Sequence, residues 1–113
     1  PVAQDLDLVF RYQLPTEFVS FTATPVTFTY QTADAVVANN SATITLMDTA
    51  GSPVTLVGGT NLTTAATWAD ANITFAGAPT FTAGNYIEFR IKSSAIVGKY
   101  VRLGDIVLNY NAR

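Results

Sequence analysis

A period of two in the placement of apolar residues sets what this chain can become. Within residues 5–14, Leu6, Leu8, Phe10, Tyr12 and Leu14 alternate with Asp5, Asp7, Val9, Arg11 and Gln13. Side chains of a strand point alternately to opposite faces, so this pattern specifies a half-buried strand, whereas a helix would scatter the same residues around its axis. Val26, Phe28 and Tyr30 alternate in the same way with Thr27, Thr29 and Gln31, as do Ile87, Phe89 and Ile91 with Tyr86, Glu88, Arg90 and Lys92. Ile106, Leu108 and Tyr110 close the chain on one face, and no segment carries a convincing helical period.

Turn residues punctuate these runs. Pro15 ends the first, and Pro25 is expected to break the run that starts at Phe18 or to hold it at an edge. Residues 33–40 read as a loop ending in the turn signal Asn39-Asn40. Residues 43–47 and 53–57 flank a turn over residues 48–52, which predicts a hairpin. Residues 60–70 lack a clear period, residues 73–76 read as a short strand, residues 80–82 meet a turn at residues 83–85, and Gly98 marks another turn. Gly104 predicts a bulge or break. About eight strands at spacings of roughly 8 to 15 residues fit one domain over residues 1–113. The expected fold is all-β, an antiparallel β-sandwich of jelly-roll or related Greek-key topology, with a closed barrel as the alternative. Residues 7–13 (DLVFRYQ) echo residues 105–111 (DIVLNYN), as two terminal strands with the same inward and outward duties would.

Composition removes most chemistry. Among 113 residues there is no His and no Cys. That excludes a Ser-His-Asp triad, a thiol nucleophile, a Cys/His zinc site, the common haem ligands and a disulfide framework. An enzyme is not expected, and no cofactor is implied. Missing Cys is compatible with either redox compartment. A net charge of −2 gives no electrostatic pull toward nucleic acid or an anionic membrane, so neither is an expected partner. No apolar run approaches the roughly 18 residues of a membrane helix. Residues 1–5 (PVAQD) have neither a basic nor an apolar leader region; the chain reads as a mature product, and Pro1 fits removal of an initiator Met.

Charged residues make up only 12% of the chain, so hydroxyls and amides must wet its surface. Such groups lose less on burial than ions do, which suits a domain whose sides are covered by copies of itself or by a scaffold. The other reading is that Thr simply has high strand propensity on exposed faces.

Candidate constellations follow from spacing. Asp5 and Asp7 share one face of a strand; they read as a charged edge that discourages aggregation, and calcium would need several more oxygen ligands. Asp34, Asp48, Asp70 and Asp105 fall in loops or at strand starts, where Asp caps turns, and nothing in the sequence pairs two of them as a glycosidase would require. Arg11, Glu88, Arg90, Lys92 and Arg102 form a candidate interface patch, the alternative being a solvated strand face with weak cross-strand pairs. Trp68 is expected as a core plug over the open end of the sandwich; the other reading, a carbohydrate-binding or adhesive module, has Trp68, Tyr86 and Tyr100 stacking on sugar rings. Asn39-Asn40-Ser41, Asn61-Leu62-Thr63 and Asn72-Ile73-Thr74 match the glycosylation acceptor pattern, which a Thr-rich chain generates by chance. Gly58-Gly59 follows no phosphate-loop spacing and reads as a turn.

Residues 79–91 (PTFTAGNYIEFRI), followed by residues 103–110 (LGDIVLNY), resemble the C-terminal halves of small β-sandwich structural proteins of tailed bacteriophages, of the capsid-decoration, head-fibre or tail-associated type. The likeness covers roughly the last third of the chain and consists of a TFTAG-x-Y entry to a long strand and a GDIVLNY final strand. It carries no catalytic residues over. It implies a virion structural subunit that binds a major capsid or tail protein, located in the virion and homo-oligomeric, with a trimer as the first expectation. The expected contact strands are residues 5–14 and the pair that carries Arg90 and Arg102.

Overall fold

A computed structural model describes residues 4–113 of the chain. Pro1, to which the expectation of a trimmed start refers, lies outside the described residues. Seven strands lie among them: β1 (Gln4–Gln13), β2 (Phe18–Thr32), β3 (Asn40–Met47), β4 (Thr55–Val57), β5 (Ala69–Ala76), β6 (Tyr86–Ala95) and β7 (Val101–Ala112). They form two antiparallel sheets, ordered β1-β6-β3 and β4-β5-β2-β7. The fold is the expected all-β sandwich. Strands β4-β5-β2 in one sheet and β6-β3 in the other follow the order of an immunoglobulin-type sandwich, while the first and last strands have exchanged edges.

The alternating apolar faces meet between the sheets. Phe28 and Ile73 from one sheet and Ile44, Ile87 and Phe89 from the other are essentially inaccessible to solvent. Burying side chains of this kind is worth about 1.5–3 kcal/mol each, which makes this layer the dominant stabilising term. At one end Phe21, Phe75 and Phe81 pack together, with the Phe21 ring edge-on to both others and the Phe21 and Phe81 centroids 4.7 Å apart. Residues 80–82 hold Phe81 in this cluster, strapped through Thr49, whose hydroxyl donates to the Thr80 carbonyl and accepts from the Thr82 N–H.

Three expectations change. Pro25 does not break β2, because it lies where the register with β7 shifts between Phe21 and Val26 and just ahead of the segment paired with β5. Its missing N–H therefore removes no ladder bond. Residues 43–57 do not form a hairpin. The Asp48 carboxylate does close the turn, accepting from the N–H groups of Ala50 and Ser52. One isolated bridge, Met47 with Pro53, follows before the chain crosses over and β4 joins the other sheet, where Leu56 sits opposite Phe75. Burial of Leu56 and Phe75 on the core outweighs continued local pairing. Finally, the strands that carry Arg90 and Arg102, expected as a pair, are β6 and β7 and belong to opposite sheets.

Gly104 does form the bulge. Gly104 and Asp105 together oppose Thr29, since Phe28 pairs with Ile106 and Tyr30 with Leu103. A Cβ on Gly104 would lie 3.0 Å from the Thr29 carbonyl oxygen, so the two backbones approach this closely only with glycine.

Candidate interaction surface

The edges of the three-stranded sheet are treated unequally. The outer edge of β3 is covered by the chain's own loops: Ala42 and Leu62 exchange both backbone hydrogen bonds, the Ile44 N–H donates to Gly59 and the Val54 N–H to Leu46. β1, at the other edge, has β6 as its sole strand neighbour among the described residues. The Leu14 N–H and carbonyl both turn toward the β6 side, bonding Asn85 and Gly84. By alternation the even residues of β1 bond β6, and the backbone groups of Asp5, Asp7, Val9, Arg11 and Gln13 face outward. Ten residues of strand therefore present an unpaired ladder.

This edge is also apolar. Leu6, Leu8, Phe10 and Tyr12 point to the core side, where Phe10 stacks on Phe89 at 5.4 Å, yet each remains 38–46% exposed. β7, the matching edge of the other sheet, does not close over them. Between the two strands lies a groove of about 410 Å³, with Phe10 and Tyr12 on one wall, Ile106, Leu108 and Tyr110 on the other, and Phe89 between. Partial burial, then the neighbouring Tyr110 hydroxyl, push the Tyr12 phenol above its ordinary value. On the outer face Val9 stands 53% exposed among polar neighbours, and Val107 occupies the corresponding place in β7. The echo between residues 7–13 and 105–111 thus has a structural meaning, because both strands border the same groove.

Of the candidate interface patch, four residues come together and one does not. Arg11 and Glu88 are paired across β1 and β6, as are Asp7 with Lys92 and Val9 with Arg90. The Arg90 guanidinium clasps Asp7 through Nε to Oδ1 at 2.8 Å and Nη2 to Oδ2 at 2.7 Å. That hydrogen-bonded pairing lowers the Asp7 carboxyl and raises the Arg90 guanidinium. The Arg11 guanidinium lies 4.7 Å over the Tyr86 ring. Arg102 is on the other sheet, donating to Gln31 and stacking 4.5 Å over Tyr100.

Trp68 is not a core plug: it is 53% exposed. The end of the sandwich it was expected to close is sealed by hydrogen bonds between Thr32 and Thr64 and from the Tyr30 hydroxyl to the Thr63 carbonyl. Tyr86 starts β6 at the far end from Trp68, which precedes the Ala69–Tyr30 pair, so the three aromatic residues do not converge. The loops at the Trp68 end carry four more exposed apolar side chains, Val36, Val37, Ile96 and Val97. Those loops are tied by the Ile96 N–H to Asn39 and by Lys99 Nζ to Asp34 at 2.8 Å.

Asp34, Asp48 and Asp70 are each held by neighbouring donors. Lys99, then the Val36 N–H and the Asn39 amide, hold the Asp34 carboxyl down to about 2. The Thr80 and Ser52 N–H groups lower Asp48. Asp70 accepts from the Thr29 hydroxyl at 2.6 Å. Asp5 and Asp7 border a shallow saddle that also contains Lys92, a cation where a metal would need ligands. Among the described residues no group of three or more carboxylates is placed to hold a metal ion.

Comparison with protein-family models, with curated proteins and with solved structures finds no match.

Proposed function

We propose that this chain is a non-enzymatic structural subunit of a virion, a decoration or fibre- or tail-associated part that binds a capsid or tail protein and stabilises the particle. The observation that carries the reading is the exposed apolar row on the core side of β1, Leu6, Leu8, Phe10 and Tyr12, which runs into an open groove. An isolated monomer seldom leaves so much contiguous apolar strand uncovered. The hydroxyl- and amide-rich remainder is inexpensive to desolvate, which suits repeated packing on a particle surface. The resemblance of residues 79–91 and 103–110 to phage β-sandwich proteins points the same way.

The test is co-sedimentation of the purified chain with capsids, and separately with tails, of the particle encoded beside its gene. Saturable pelleting with one of them, and a higher temperature of particle rupture once bound, is the expected result. Absence of binding to both overturns the reading.

One observation favours a second reading, a carbohydrate-binding or adhesive module: the exposure of Trp68. It predicts quenching or a shift of Trp68 emission by members of a glycan panel. No response from any glycan removes it.

A further inference from the structure

The bare edge of β1 is complementary to itself. We propose that two copies of this chain join through β1, antiparallel about a two-fold axis at Val9, so that the sheets β3-β6-β1 of both copies form one continuous six-stranded sheet. This deepens the reading above by naming the self-contact made by the same surface.

Backbone direction, face and charge all select this pairing. The outward-facing backbone groups of β1 belong to its odd-numbered residues, and they bond only if odd residues of one copy oppose odd residues of the other. With Val9 on the axis, Asp5 opposes Gln13 of the second copy and Asp7 opposes its Arg11. On the core side Leu6 then meets Tyr12 and Leu8 meets Phe10, so apolar residues face apolar residues throughout. Within each chain Lys92 sits beside Asp7 and Glu88 beside Arg11. Across the joined sheets the row therefore reads Lys92, Asp7, then Arg11 and Glu88 of the second copy, alternating in sign, and the two-fold repeats it. Opposite charges placed directly across strands are favourable and like charges are not. Sliding one strand four residues either way sets Asp7 against Asp7 or Arg11 against Arg11. A slide of two residues in one direction pairs Arg11 with Val9; in the other it sets Asp7 against Val9 and exchanges the Asp7–Arg11 contact for one at Asp5.

Neither remaining long edge offers β1 a matching partner. That of β3 is occupied by residues 53–62. In β7 the alternation is inverted: the Ala33 N–H donates to Tyr100, so odd residues of β2 bond β7, and beyond the Gly104 bulge Ile106 and Leu108 face the free edge. Those are core-facing side chains, so β1 could bond β7 of another copy only by setting its polar face against an apolar one. A two-fold contact of β1 with itself is isologous and closes as a pair.

The experiment combines mass with register. Light scattering at rising concentration is expected to approach twice the 12.0 kDa chain mass. Val9→Pro removes an N–H that bonds nothing among the described residues and should weaken the pair by about tenfold or more, through the two hydrogen bonds lost at the axis. Arg11→Asp and Asp7→Arg should each be monomeric alone and pair when mixed, which keeps the test independent of whether the Pro variant folds. Because the chain has no Cys, register can be read by oxidation. Val9→Cys should cross-link to itself, the Cα separation of a bonded pair being about 5.5 Å and within disulfide range, while Asp5→Cys and Gln13→Cys should cross-link only to each other. A chain that stays monomeric, forms trimers, or pairs without the Val9 cross-link overturns the proposal. A monomer that still pellets with particles leaves the structural-subunit reading standing, and a Val9-centred pair that binds neither capsid nor tail does the reverse.

Discussion

Thr32 and Thr64 hold one end of the sandwich together by reciprocal hydrogen bonds. The Thr32 N–H donates to the Thr64 hydroxyl at 3.0 Å, and the Thr64 N–H donates to the Thr32 hydroxyl at 2.6 Å. Both residues are buried, so each hydroxyl satisfies an N–H that water cannot reach. Thr32→Val keeps the shape and leaves the Thr64 N–H without a partner. The expected loss is about 1–3 kcal/mol in denaturant unfolding, with most of it recovered in Thr32→Ser.

Asp34 ties part of the acid stability to an ion-paired loop. Its carboxyl is held from 3.8 down to about 2 by Lys99 first, then by the Val36 N–H and Asn39. A depressed carboxyl stabilises the folded state above its unfolded value, and that contribution fades as pH falls through the folded value. Stability of the native chain should therefore drop between about pH 4 and pH 2, and Asp34→Asn should flatten this part of the curve. Chemical denaturation at a series of pH values reads the difference.

Gly104→Ala places a methyl group 3.0 Å from the Thr29 carbonyl oxygen and 3.1 Å from its Cβ. Backbone cannot yield there without opening the β2–β7 ladder. A loss of about 1–3 kcal/mol is expected, seen as a lower melting temperature.

Phe28 and Phe10 are both aromatic residues on inward strand faces, yet they should respond differently to truncation. Phe28 is fully buried, and Phe28→Ala should cost about 3–5 kcal/mol. Phe10 is 38% exposed on the edge strand, and Phe10→Ser, measured in dilute protein, should cost well under half as much. Equal losses would show that the β1 face belongs to the monomer core.

Trp68, the sole Trp and 53% exposed, should emit at the long wavelength of a hydrated indole and be readily quenched by acrylamide. A blue-shifted, protected emission would return it to the core.

Much of the architecture was legible in the chain because strand periodicity is a local property. The inward placement of Phe28, Phe89 and Ile91, the bulge at Gly104 and the turn at Asp48 follow from alternation and from backbone chemistry within a few residues. The groups that make up the β1 contact were visible too: Val9 is the one apolar residue among the polar alternates of residues 5–13, and Asp7 and Arg11 stand symmetrically about it.

What alternation could not express is which strand each edge meets. The same period describes β1, whose inward residues stay exposed, and β6, whose inward residues are buried, because burial depends on the number of neighbours and those are chosen by the fold. The expected hairpin over residues 43–57 failed for this reason, since a turn fixes local geometry while the destination of β4 was decided by Leu56 and Phe75 packing on a distant core. Trp68 failed likewise: Thr32 and Thr64 had already sealed the end it was expected to plug. Strands, their two faces and the lack of His and Cys chemistry are written in the order and choice of residues alone. That loops cover the β3 edge while β1 stays bare emerges only in the folded chain, because edge coverage is set by contacts between residues far apart in sequence.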